Sequence, residues 1–314
     1  MPGMLDGRQC ACAACPARHA GLPPPVGAVA CLQRCFGVRR CAGGDNCGVS
    51  SRLRAIAEDT VRIVERGRYR APGTGEVDLA REIAAAVART MLYLPGDPVA
   101  AATPIEGRPA VEVTGETTLA AARRLGGDVA CLVFASARNP GGGFLTGAQA
   151  QEESLARASS LHACQQAAPQ FYAVHRQQPD LRYSDRVIYS PSVPVFRDDD
   201  GTLLARPYFA SFLTAAAPNL TAITATQPDS AATVPAVLRK RAARVLQIAA
   251  AHRHRRLLLG AWGCGVFGND PAVVADAFAQ ALDQARWFDQ VVFAVYDRHP
   301  ATPAYHAFTR ILGQ

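Results

Sequence analysis

Between Val129 and Gln166 the chain passes from an apolar run of strand length, Val129 to Ala135, through a loop and into a helical stretch. The loop, Asn139 to Glu153, reads Asn-Pro-Gly-Gly-Gly-Phe-Leu-Thr-Gly-Ala-Gln-Ala-Gln-Glu-Glu. The apolar run reads as a buried strand, and Ser154 to Gln166 as the helix. Gly141, Gly142 and Gly143 remove every side chain between the backbone and anything that approaches it, so amide groups can come close to a ligand. The loop then delivers Glu152 and Glu153 at a helix start. Adjacent helical residues point about 100° apart, so the two carboxylates cannot share one job. One can face a cleft while the other hydrogen-bonds elsewhere.

A second unit of the same kind follows. Leu257 to Trp262 reads as a buried strand, Gly263-Cys264-Gly265-Val266-Phe267-Gly268-Asn269 as a loop, and Asp270-Pro271 as the opening of a helix to about Arg286. Each unit sets amides and a helix N-terminus at a strand's C-terminal end, which suits a phosphate; two such loops suit a diphosphate. Neither loop is a GxGxxG that follows a first strand and precedes a later acidic ribose ligand, as in dinucleotide-binding dehydrogenases, and neither is the GxxxxGKS of P-loop enzymes. Phe267, between glycines, is placed to pack on a ribose or base, or to anchor its loop. Asn139 is placed to read a ribose hydroxyl, or to start the turn.

Around these units strands and helices alternate. Leu53, Ile56, Thr60, Ile63 and Val64 have helical spacing, and Asp78 is expected to N-cap a helix through Met91. Val111 to Val113 reads as a strand and Thr117 to Leu125 as a helix closed by Gly126. Arg186 to Tyr189 and Tyr208 to Thr214 read as strands, with a hairpin over Val195 to Leu204. A helix from Pro235 to Ala251, a strand from Gln290 to Val295 and a helix from Pro303 to Leu312 complete the expectation, an α/β sandwich on a mixed sheet. His162 reads as a helix-face residue, and His252 and His254 as part of a solvated helix end. Cys131, Cys164 and Cys264 read as packed thiols.

The formal charge of +7 invites a nucleic-acid reading, but only one of the 33 basic residues is a lysine, and Ala, Arg, Gly and Pro are abundant. That bias looks like a GC-rich genome rather than a selected basic face, so no direct nucleic-acid binding is expected. The absence of a membrane-length apolar run and of a signal peptide's apolar core favours the cytoplasm. Residues 1–49 stand apart, with a triple proline and seven of the ten cysteines. Cys12-x-x-Cys15 and Cys31-x-x-x-Cys35 have spacing that suits zinc. With no second regular CxxC pair, the segment reads rather as a disordered tail or the product of a misassigned start codon. Residues 50–314 are expected to form one catalytic domain.

The triple glycine, seven intervening residues and Gln151-Glu152-Glu153 resemble the signature of poly(ADP-ribose) glycohydrolases, and the chain looks most like the bacterial, microbial-type members. The likeness extends over roughly residues 51–314, through Ser51 to Arg54, Asn139 to Gly141, Asp185 to Pro191 and Gly260 to Phe267. It implies a three-layer α/β/α macrodomain-like mixed sheet with N-terminal accessory helices, binding ADP-ribose at the strand C-termini. Glu153 would be the catalytic acid, with a raised pKa, and Glu152 its neighbour positioning a ribose. Gly141 to Gly143 and Gln151 would form the catalytic loop. Gly263, Cys264, Gly265, Val266 and Phe267 would wrap the diphosphate. The implied protein is a monomer without cofactor or metal, acting on ADP-ribose polymer or an ADP-ribosylated macromolecule, mainly from chain ends. The rival readings are removal of single ADP-ribose groups and a module that binds ADP-ribose without cutting it.

Overall fold

The computed structural model describes residues 44–297, 299 and 301–313. The zinc-spaced cysteines therefore lie outside the described residues. Helix α1 (Gly44–Arg66) comes first, and buries Thr60 and Ile63 of the periodic face that the sequence marks, with Ala57 beside them. A short antiparallel pair follows, β1 (Arg68–Arg70) and β2 (Glu76–Asp78). Helix α2 (Ala80–Ala88) takes an Asp78 hydrogen bond at its first amide, but ends three residues short of Met91. Met91 opens a strand instead, β3 (Met91–Tyr93).

The remaining elements are β4 (Ala110–Thr114), α3 (Thr118–Leu125), β5 (Val129–Phe134), α4 (Gln151–Ala158), α5 (Leu161–Gln166), α6 (Pro169–Gln177), β6 (Val187–Arg197), β7 (Leu203–Ala215), α7 (Leu220–Thr226), α8 (Val234–Ala251), β8 (Arg256–Leu259), α9 (Pro271–Gln284), β9 (Gln290–Ala294) and α10 (Pro303–Leu312). The helix expected over Ser154 to Gln166 is two helices. Ser159 between them is extended, bridges to Val195, and returns its hydroxyl to the Leu155 carbonyl. The strands expected at Arg186 and Tyr208 belong to two long ones, β6 and β7, that pair through the Asp198–Gly201 turn. Pro191 and Pro194 hide that continuity, because proline removes a ladder donor.

Seven strands form one mixed sheet in the order β3-β6-β7-β5-β8-β9-β4, with β7, β5, β8, β9 and β4 mutually parallel. Side chains of β5 alternate between two cores. Ala130 and Leu132 pack with Leu238 and Val245 of α8, Phe278 of α9 and Phe308 of α10. Val129, Cys131 and Val133 pack with Ala121 of α3, Leu155 of α4 and Leu161 of α5. The result is the three-layer arrangement with β5 at its centre. Among the described residues no helix is long and apolar enough to cross a membrane. Strand β5 lies between β7 and β8, parallel to both, so the chain leaves the three strands' C-terminal ends on one side of the sheet, where open α/β folds form their ligand crevice.

Candidate functional site

At the C-terminal end of β5 the loop is built around its glycines. Gly142 N–H donates to Asn139 O at 3.0 Å, and the Gly143 carbonyl accepts from the amides of Thr146 and Ala148 at 3.0 and 3.1 Å. Phe144 anchors the turn, buried with Ala57 of α1 and Ala156 of α4, its ring 4.7 Å from that of His162. Arg157, also buried, donates to Ala148 O at 2.6 Å, so α4 holds both ends of the loop it follows.

The two carboxylates have different surroundings. Glu152 is 2% exposed; its Oε2 accepts from Ser136 N–H at 2.6 Å and its Oε1 from Gln165 Nε2 at 2.9 Å. Burial raises its pKa to about 8, against the pull of the Ser136 amide and with a further push from Glu153. Glu153 is only partly buried, and its Oε1 accepts from Gly143 N–H at 3.0 Å. Of the two neighbours, burial falls on Glu152, and the raised pKa with it. Glu153 is the carboxylate that sits directly on the triple glycine.

A raised carboxyl pKa has a definite sign for stability. Near pH 4.5 and below, folded and unfolded chains both hold the Glu152 proton; as pH rises toward about 8, only the unfolded chain releases it. Stability therefore falls through that window, by on the order of 1.4 kcal/mol per pH unit for this group. Glu152→Gln is expected to flatten the fall. Thermal unfolding of both proteins across the window, read as the difference between them, checks this; parallel curves would contradict it.

The side chain of Gln151, expected in the catalytic loop, is hydrogen-bonded to β5 and α3. Its Oε1 accepts from Phe134 N–H at 2.9 Å, and its Nε2 donates to Leu132 O at 2.8 Å and Thr118 Oγ1 at 3.2 Å. Strand β8 pairs with β5 only through Cys131, so the side-chain amide continues the ladder where the neighbouring strand stops. Gln151 thereby pins the first turn of α4, and with it both glutamates, to β5. Gln151→Leu leaves two strand groups unpaired and is expected to cost about 2–4 kcal/mol, read as a lower urea midpoint.

The second loop leaves β8 beside the first. Gly263 has φ 73°, and a Cβ there would lie 2.6 Å from both Ala217 Cβ and Asn269 Nδ2. Buried Asn269 ties the loop together, donating to Pro218 O at 2.8 Å and Gly263 O at 3.1 Å. Among the described residues, the amides of Gly265, Val266 and Phe267 donate to no protein group. Val266 is 86% exposed at the tip. Phe267 is partly buried with its ring 6.1 Å from that of Tyr183, and the Cys264 thiol is pushed up to about 12, first by burial and then by Asp270. Asn139 is exposed at the lip of the first loop, and its carbonyl, rather than its side chain, makes the turn. Ser136, Arg157, Gln165 and Asn269 complete the site without standing out in the sequence. Each is a single polar residue whose partner lies elsewhere in the chain.

Fold and site define a macrodomain-like α/β protein with two glycine loops at neighbouring strand ends and a carboxylate pair on one of them. Residues 57–198 match the family model "Microbial-type PARG, catalytic domain". The poly(ADP-ribose) glycohydrolase from Thermomonospora curvata is 53% identical with a TM-score of 0.78, over 83% of this chain and 100% of that one. The same protein bound to the inhibitor ADP-HPD gives a TM-score of 0.76 at 53% identity, over 83% and 99%. That from Deinococcus radiodurans in complex with ADP-ribose is 45% identical with a TM-score of 0.68, over 74% and 98%. No curated protein matches. The chain belongs to the microbial-type poly(ADP-ribose) glycohydrolase family.

Proposed function

We propose that this chain hydrolyses the ribose–ribose O-glycosidic bonds of poly(ADP-ribose), with Glu153 as general acid and base. The observation that carries the reading is the Glu153 carboxylate seated on Gly143 N–H in a loop stripped of side chains, in a family with an ADP-ribose-bound relative. The terminal ADP-ribose lies along the crevice, its diphosphate on the free amides of Gly265, Val266 and Phe267. Phe267 packs beside a ribose, and Asn139 reaches a ribose hydroxyl.

The bond breaks through an oxocarbenium-like transition state. Protonated Glu153 gives its proton to the leaving ribose oxygen as the anomeric C–O bond breaks. As carboxylate it then takes a proton from the water that attacks the anomeric carbon, which restores the acid. The bound diphosphate stabilises the cation between the two steps. Glu152, held by Ser136 and Gln165, positions the loop and the ribose above it. One carboxylate serves both steps.

Attack at chain ends is supported by α1. Ser50 Oγ donates to Thr146 O at 3.4 Å and Ala57 packs on Phe144, so a helix stands at one end of the catalytic loop, where a continuing polymer would have to pass. Purified protein incubated with poly(ADP-ribose), and separately with singly modified protein, tests the reading. Release of ADP-ribose from polymer supports it. Release from the singly modified target alone would replace it with mono-ADP-ribosyl hydrolysis, and binding without release would leave a reader module.

A further inference from the structure

A cavity of about 650 Å³ opens at the other end of the sheet, by the N-terminal ends of β5 and β8. The length of β5, at about 3.3 Å per residue, sets it roughly 20 Å from the glutamates. Two irregularities shape it. Strand β6 is bulged between Ser190 and Val193, with Ser192 at φ 49° and its amide donating to Ser211 Oγ at 3.1 Å. Arg253, at φ 64°, turns the chain between α8 and β8 so that His252 and His254 both line the cavity. These are two of the four non-glycine residues with left-handed backbone among the described residues, and strain of this kind gathers at functional sites.

The two histidines, expected at a solvated helix end, are built into the wall. His254 is 2% exposed, its Nε2 2.8 Å from the Tyr189 hydroxyl and its Nδ1 2.9 Å from Asp128 Oδ1. His252 Nε2 lies 2.8 Å from the Tyr93 hydroxyl, and its ring stacks on that of Tyr189 at 3.7 Å and 11°. Burial lowers the pKa of both, with Asp128 pulling that of His254 the other way. At the rim, Met91 and Phe209 are 42% and 39% exposed. Arg89 donates through Nε to Ala85 O at 3.3 Å, and its terminal nitrogens have no partner among the described residues.

We propose that this cavity is a second binding site, for a nucleoside phosphate. The base packs on the aromatic wall between Met91 and Phe209, the phosphate takes the fork of Arg89, and Asp128 accepts from an exocyclic amine or ribose hydroxyl. A bare anion would leave the apolar rim uncovered, and a purely apolar ligand would leave the Arg89 fork without a partner. The ligand has two sources, a free nucleotide or a distal unit of an ADP-ribose polymer. The site stands whether or not Glu153 cuts the polymer; only the second source rests on that reading.

Calorimetric titration with ADP-ribose tests it, with Arg89→Glu and Phe209→Asp as variants at exposed positions. Wild type should show two sites and each variant one, with folding checked by thermal unfolding. A single site in wild type, or two sites surviving in both variants, overturns the proposal. Where two sites fall to one, ADP-ribose release from long and short polymer separates the sources. Slower release by Arg89→Glu from long polymer alone identifies the polymer, and unchanged release from both identifies a free nucleotide.

Discussion

Glu153→Gln is expected to lower kcat for ADP-ribose release by about 10²–10⁴-fold, the range that a positioned general acid–base contributes, while ADP-ribose still binds. The substitution keeps the side chain's length and its oxygen acceptor for Gly143 N–H, 3.0 Å away. It removes the proton the leaving oxygen needs and the carboxylate that would deprotonate water. Both halves of the reaction fail together, so neither a better leaving group nor higher pH should restore full activity. Single-turnover release from polymer, with calorimetry for binding, makes the measurement. A variant retaining more than about a tenth of wild-type kcat would move the acid–base role elsewhere, and Glu152 would be examined next.

The pair's asymmetry explains why Glu152 is the weaker candidate. A carboxyl whose two oxygens are taken by Ser136 and Gln165, and which is almost wholly buried, is poorly placed to exchange a proton with a leaving oxygen or a water. Its raised pKa marks the cost of that burial rather than readiness to donate. Adjacent residues on one helical turn diverge by about 100°, so Glu153 has a setting apart from that of Glu152, on Gly143 N–H.

Much of this was legible before any coordinates. Strand β5, the loop behind it, α8 opened by Pro235 and α9 opened by Asp270-Pro271 follow from local pattern, since buried strands and capped helices are set by residues close in sequence. Gln151 was legible as part of the signature but not in its role. Its task depends on the β5–β8 pairing ending at Cys131, a fact about another strand. Likewise Ser159 reads as helix until Val195 pairs with it, and the prolines of β6 hide a strand that a bulge keeps continuous. His254 looked solvated because its neighbours are arginines, whereas Tyr189, far off in sequence, covers it. Local propensity yields wherever the deciding partner is distant.

Gly142→Ala carries the second large expectation, and a matched control separates its two effects. Gly142 has φ 59°, and an added Cβ would collide with Glu153 Oε1 and stand 3.0 Å from Glu153 Cδ and 3.2 Å from Glu152 Oε2. Left-handed backbone costs an alanine about 1–2 kcal/mol wherever it occurs. Gly73 has φ 69° with nothing within 4 Å of its added Cβ, so Gly73→Ala measures that backbone cost alone. Both variants should therefore lose similar stability from the backbone, with Gly142→Ala losing more if the glutamates resist displacement. Only Gly142→Ala should lose turnover, by about 10²-fold, because a catalytic group displaced by about an ångström loses that much. Urea unfolding and release from polymer read the two quantities separately. Wild-type kcat in Gly142→Ala, with a stability loss equal to that of Gly73→Ala, would mean that the glycine serves the turn and not the carboxylate. The proximity of Glu153 to the bare backbone would then have to be explained without catalysis.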